Sequence, residues 1–144
     1  MQVINTAKIV LVNSNLKQLL IIKRSSTDTR RPQQWDIPGG TVEPDELIEK
    51  GAVRECLEEC SITIPEESLK LIYTTRDIVD NNKILVNWLI FSGFTNQDKV
   101  VLSYEHQEYK WVNLEQAIKL IAYDRQKLAL ELIYQKKLIP ELFD

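Results

Sequence analysis

Residues 39 to 62, GGTVEPDELIEKGAVRECLEECSI, constrain this chain more than any other stretch. Glu46, Glu49, Glu55, Glu58 and Glu59 alone account for five of its 21 acidic residues, and Glu43 and Asp45 stand just before them. Pro44 and Asp45 read as a helix start, because proline fits the first turn and acids complement the helix dipole there. No proline follows between Glu46 and Cys60, so a helix is predicted over 46–60. With Glu55 set at zero and about 100° added per residue, Glu58 falls near 300° and Glu59 near 40°. The three carboxylates therefore share one face. Ala52, Val53, Cys56, Leu57 and Cys60 fill an arc from about 60° to about 200°, which is the predicted core face. Like charges three and four residues apart repel by a few tenths of a kcal/mol per pair. The face is either solvated or joined by a cation. Hard carboxylate oxygens suit Mg²⁺ or Mn²⁺ far better than Zn²⁺.

The spacing around these acids decides between the two. Gly40, five residues, Glu46, seven residues and then Arg54-Glu55-Cys56-Leu57-Glu58-Glu59-Cys60-Ser61-Ile62 closely resembles the signature of the Nudix hydrolases. That signature is G-x5-E-x7-R-E-U-x-E-E-x-G-U, with U a bulky aliphatic residue. Gly40, Glu46, Arg54, Glu55, Glu58 and Glu59 match its fixed positions, and Ile62 matches the last U. Cys56 stands at the first U, a mild change, since cysteine packs as a small hydrophobe. Ser61 stands where the family has glycine. A serine there either adopts the left-handed cap at about 1 kcal/mol or ends the helix differently. The resemblance extends to the flanks, WDIPGG before the box and YEHQEYKWV after it.

Length and composition narrow the remaining classes. A chain of 144 residues is read as one domain, 1–144, with a core of its own. A net charge of −3 gives no broad basic footprint, so dedicated nucleic-acid binding is not expected. Cys56 and Cys60, four apart on the predicted helix, read as reduced buried thiols of a cytoplasmic protein. Two cysteines and one histidine make a poor zinc set. The start, MQVINTAK, does not read as a signal peptide, and no apolar run reaches a membrane span.

Taken in order, residues 2–12 and 18–23 read as a strand hairpin with its turn at Asn13-Ser14-Asn15. A polar loop, 25–34, carries Arg30 and Arg31; guanidinium groups match phosphate oxygens, so one of them is a candidate substrate contact. Trp35, read as packing, opens a short strand into the box. Gly51, in mid-helix on the acidic side, costs about 1 kcal/mol against alanine; close packing or room for a ligand would each explain it. Residues 69–79 and 84–94 read as a second hairpin, the latter strand apolar on both faces and so internal. Asn87 interrupts it. A buried amide needs a hydrogen bond, within the fold or to a nucleobase or ribose. Trp88, on the other face, reads as core. Short strands are expected at 100–104 and 109–113. His106 reads as structural. Helices are expected at 114–122 and 124–137, with Leu128, Leu132 and Ile133 covering one side of the sheet.

This alternation fits an α/β/α sandwich with a mixed sheet, which is also the Nudix fold. The resemblance implies Mg²⁺-dependent hydrolysis of a nucleoside diphosphate linked to another group, with Gly40, Glu55, Glu58 and Glu59 as metal ligands. It implies that Arg54 orients a glutamate, with Glu46 a possible partner two turns away. It also implies a further glutamate near the metals, with Glu105 the first candidate and Glu108 the second. Arg24 lies where many relatives carry arginine and ranks above Arg30 for substrate. The short chain favours a nucleoside triphosphate, ordinary or modified. ADP-ribose, nucleotide sugars and dinucleoside polyphosphates stay open, as does a non-catalytic nucleotide-binding module. The expected partner is a small nucleotide, and the protein is expected to be a monomer or homodimer.

Overall fold

The computed structural model describes residues 1–143. Seven strands form one mixed sheet: β1 (Gln2–Asn13), β2 (Gln18–Arg24), β3 (Trp35–Asp36), β4 (Gly39–Thr41), β5 (Lys70–Val79), β6 (Ile84–Thr95) and β7 (His106–Val112). Three α-helices accompany it: α1 (Ile48–Cys60), α2 (Leu114–Leu120) and α3 (Asp124–Lys136). The strand path runs β3-β2-β1-β6-β5, with β4 paired to β1 and β7 to β2. Among the described strands only β1 and β6 pair in parallel, in register from Gln2↔Ile84 to Asn13↔Thr95. Both expected hairpins form: β1 turns back on β2 at Val12↔Leu19, and β5 on β6 at Val79↔Ile84.

The sheet is filled from both sides because β1 is apolar on both faces. Ile9 and Leu11 pack with α1 residues Ala52, Cys56 and Cys60. Val10 and Val12, on the opposite face, pack with Ala129, Leu130 and Ile133 of α3 and Leu114 and Ala117 of α2. A strand buried on both faces cannot show the alternation of a half-exposed one. The result is the expected α/β/α sandwich. Among the described residues no helix is long and apolar enough to cross a membrane.

Several expectations need correction. The helix begins at Ile48, not Glu46, because the Glu46 carboxylate accepts the Glu43 N–H and closes a turn first. Residues 100–104 are not a strand: the Val101 and Ser103 amides donate to the Cys60 and Glu59 carbonyls at the end of α1. Leu57, placed on the core face, is 48% exposed, and Leu128 is 42% exposed. The buried stripe of α3 is Gln126, Ala129, Leu130 and Ile133; a glutamine in that stripe hides it from an apolar periodicity. Ser61 takes the left-handed cap, at φ 60° and ψ 34°, and its hydroxyl donates to the Val101 carbonyl at 3.0 Å.

Candidate functional site

The site begins where β4 meets α1. Gly39 has φ 125°, and a side chain there would run into the Ala7 carbonyl. Gly40 lies so close to Glu55 that a Cβ would sit 2.8 Å from its carboxyl carbon. The glycine pair thus lets the backbone come up against the acidic helix. Gly51 is explained the same way: an added Cβ would meet Glu46 Oε1 at 2.8 Å and Val42 at 3.1 Å. Close packing, rather than room for a ligand, accounts for it.

Arg54 organises the acids. Its Nη2 donates to Glu46 Oε1 at 2.7 Å and its Nε to Glu46 Oε2 at 3.1 Å, while Nη1 reaches both Glu55 and Glu58 at 3.2 Å. That hydrogen bonding pulls the Glu46 carboxyl down to about 2, with help from the Glu43 N–H, and raises the already high pKa of Arg54. The expected pairing with Glu46 is present, although Glu46 sits in the turn before the helix. Glu59 is the opposite case. It is 5% exposed and accepts the Gly39 N–H at 2.7 Å. Burial pushes its carboxyl up to about 8 against the pull of nearby Lys8. Burial also raises the Glu55 carboxyl, opposed by Arg54.

Beneath this lies a buried polar frame. Lys8, an ammonium inside the apolar run of β1, donates to Asp36 Oδ2, the Ile37 carbonyl and the Gly39 carbonyl at 3.2, 3.2 and 2.7 Å. Burial opposes its charge, but Asp36 and Glu59 hold its pKa above the ordinary value. Gln126 closes the frame from α3, donating to Asp36 at 2.7 Å and accepting the Ile37 N–H at 3.1 Å. His106 is buried with both ring nitrogens unpartnered among the described residues, and burial lowers its pKa to about 4. It is therefore neutral at pH 7.

A cleft of about 510 Å³ opens over this frame. Gly40, Glu55, Glu59, Glu105, Arg24 and Arg30 all line it. Four of the anticipated residues, Arg54, Glu58, Asn87 and Glu108, do not. Glu58 has a side chain 59% exposed and is turned to Arg54. Asn87 donates to Asn5 Oδ1 at 3.0 Å and accepts from Arg76 at 2.8 Å, away from the cleft. Glu108 lies 3.9 Å from Lys23 and is also outside. Arg24 is tied to Asp28 at 3.0 Å and Asp36 at 3.3 Å. Asp28 accepts the amides of Arg31 and Arg30 as well, which draws its carboxyl down to about 2 and pins the arginine loop over the cleft.

Trp88 is not core. It lines this cleft and an adjoining cavity of about 610 Å³, as do Tyr123 and Arg31. Lys8, Asp36 and Tyr123 were not singled out from the sequence. A lysine inside TAKIVLV was the one visible signal, since a charge in a buried strand needs a partner. Among the described residues no three acid, imidazole or thiol groups converge as a ready-made cation nest. The donor chemistry nevertheless fits a hard divalent ion. Two carboxylates with burial-raised pKa values line the cleft beside Gly40, and a cation would favour their ionised form.

Known proteins share both the sequence pattern and the geometry. The asymmetrical bis(5'-nucleosyl)-tetraphosphatase of Caenorhabditis elegans is 36% identical over 98 residues, covering 64% of this chain and 67% of that protein. A putative 8-oxo-dGTP diphosphatase of Bacillus subtilis is 30% identical over 104 residues, 72% of this chain and 63% of that one, so the match spans less than two thirds of its length. The crystal structure of the MutT protein from Methanosarcina mazei superposes with a TM-score of 0.79 at 27% identity, covering 95% of this chain and 96% of that one. Residues 4–132 match the family profile described as NUDIX domain. The chain belongs to that family, the Nudix pyrophosphohydrolases.

Proposed function

We propose that the protein hydrolyses nucleoside triphosphates to monophosphate and pyrophosphate with Mg²⁺, or Mn²⁺ in its place. The observation that carries this reading is the cleft itself. It gathers Gly40, Glu55 and Glu59 with Arg24, Arg30 and Arg31 around one space. Hard oxygen donors and guanidinium groups together suit a polyphosphate held as a metal complex.

When bound, Mg²⁺ offsets charge on the diphosphate oxygens and orients them for attack by water. Gly40, Glu55 and Glu59, which line the cleft, would hold it, and Glu58, on the same helix face, would join them by turning from Arg54. Arg54 contributes by position: one of its nitrogens holds both Glu55 and Glu58, while Glu46 fixes its other edge. Arg30 and Arg31 supply cations on a loop whose backbone Asp28 fixes. Arg24, paired with Asp28 and Asp36, acts more as a strut with one edge toward the substrate. Glu105, in the cleft wall, is the candidate base for the water proton.

A second reading, cleavage of dinucleoside polyphosphates, is favoured by the adjoining cavity and by the tetraphosphatase activity for which the Caenorhabditis elegans relative is named. A screen with Mg²⁺ over nucleoside triphosphates, dinucleoside polyphosphates, ADP-ribose and nucleotide sugars separates them. The expected result is highest kcat/KM on a triphosphate, with pyrophosphate as product and no turnover in EDTA. Nucleotide binding without turnover of any of these compounds would make the protein a non-catalytic module.

A further inference from the structure

The outer cavity, of about 610 Å³, is built differently from the cleft it adjoins. The Trp88 indole N–H donates to Asp77 Oδ2 at 3.0 Å, so the only polar atom of that side chain is satisfied and its ring gives the cavity an apolar wall. Arg125 donates to Asp77 Oδ1 from Nε at 2.8 Å, with Nη2 also close. Asp77 thereby fixes one edge of the guanidinium. Asp77 takes Nε and one N–H of Nη2, which leaves Nη1 and the outer N–H of Nη2, an end-on fork, without a partner among the described residues, and Arg125 lines the cavity. Tyr123, 8% exposed, stands where the two spaces meet, and its buried hydroxyl has no partner among the described residues. The Arg31 guanidinium lies over its ring at 4.5 Å.

An aromatic wall, a fixed guanidinium fork and an unsatisfied hydroxyl beside a polyphosphate site match a purine base. The fork says which one. Guanine presents two neighbouring acceptors, O6 and N7, which an arginine takes bidentately. Adenine pairs its N7 with an N6 amino donor, which the fork repels, and pyrimidines have no N7. In 8-oxoguanine N7 carries a hydrogen and becomes a donor, so the same fork disfavours the oxidised base. We propose that this cavity is a guanine site, with Arg125 selecting the base and Trp88 stacking on it. The inference rests on the nucleotide reading of the cleft and narrows its substrate class to unoxidised guanine nucleotides.

The test uses the intact protein with Mg²⁺ and nucleoside monophosphates, which carry no anhydride to cleave, so binding is read apart from hydrolysis. Calorimetric titration should give GMP at least about fivefold tighter binding than AMP or 8-oxo-GMP, the scale of one bidentate base contact. Arg125→Lys keeps the charge facing Asp77 but loses the fork, and it should cut the GMP-to-AMP ratio below about twofold. Trp88→Leu should weaken both by about fivefold or more, the scale of lost stacking, with the ratio kept. Equal binding of GMP and AMP by the wild type, tighter binding of 8-oxo-GMP than GMP, or a preference that survives in Arg125→Lys would each overturn the assignment. A protein that prefers GMP yet cleaves no triphosphate would support this site and remove the hydrolytic reading instead.

Discussion

Glu59→Gln removes a carboxylate whose charge burial in the fold opposes. The Glu59 carboxyl titrates near 4.5 when free and is pushed to about 8 by burial in the folded protein. Between those values the folded protein keeps a proton that the unfolded chain has released. Stability is therefore fully present below pH 4.5 and is lost as pH rises toward 8. At about 1.4 kcal/mol per pH unit, the span sets an upper bound of about 5 kcal/mol. That is a large share of the ~5–15 kcal/mol that holds a domain together. Glutamine keeps the length and the acceptor for the Gly39 N–H but cannot ionise. In EDTA, the stability of the variant relative to wild type should rise by several kcal/mol between pH 5 and pH 8. Urea titrations at the two pH values read this difference, which cancels any fixed effect of the amide. Mg²⁺ at pH 8 should stabilise the wild type and leave the variant nearly unchanged. A wild-type-to-variant difference that does not move with pH would refute a raised Glu59 carboxyl, and equal Mg²⁺ effects would remove Glu59 from the metal site.

Three further outcomes are expected. Glu105→Gln should lower kcat by about 10²-fold or more, the scale of lost general-base help, whereas Glu108→Gln, outside the cleft, should stay within about threefold; the reverse ranking in steady-state kinetics at saturating Mg²⁺ would transfer the role. Ser61→Gly relieves a left-handed serine, worth about 1 kcal/mol, but removes the hydroxyl bond to the Val101 carbonyl, worth about 0.5–1.5 kcal/mol. The two should nearly cancel in a denaturant titration, while Ser61→Ala loses the bond without relief and destabilises; a clear gain from Ser61→Gly would mean that the bond contributes little. Arg54→Lys replaces a fork that holds three carboxylates with a single ammonium, so kcat should fall at least about tenfold and more Mg²⁺ should be needed for half-maximal rate. Turnover within threefold of wild type, with unchanged Mg²⁺ dependence, would reduce Arg54 to a surface ion pair.

The acidic helix, its glycine turn and its end at Ser61 were legible in the chain because each is set by neighbours a few residues away. Helical spacing alone puts Glu55, Glu58 and Glu59 on one side, and it made the partnership of Arg54 with Glu46 a reasonable expectation. The hairpins were legible for the same reason, since a turn fixes which strands meet. Periodicity failed where a buried position is polar, as at Gln126, or where an apolar residue faces a cavity, as at Leu128. The wider site depends on pairs far apart in sequence. Lys8 finds Asp36 across 28 residues, and Gln126 finds the same carboxylate across 90. No local pattern records such a pairing, because it exists only once the antiparallel pairing of β2 with β3 and of β1 with β4, and the docking of α3, have brought the partners together. The parallel register of β1 with β6 sets Asn87 against Asn5, the antiparallel register of β5 with β6 brings Arg76 to it, and Trp88 next to it lines the cleft. Adjacent residues on a strand point to opposite faces. Which face met the site was decided by tertiary packing, and a nucleotide-contact role drawn from composition could fall on the wrong one of the two.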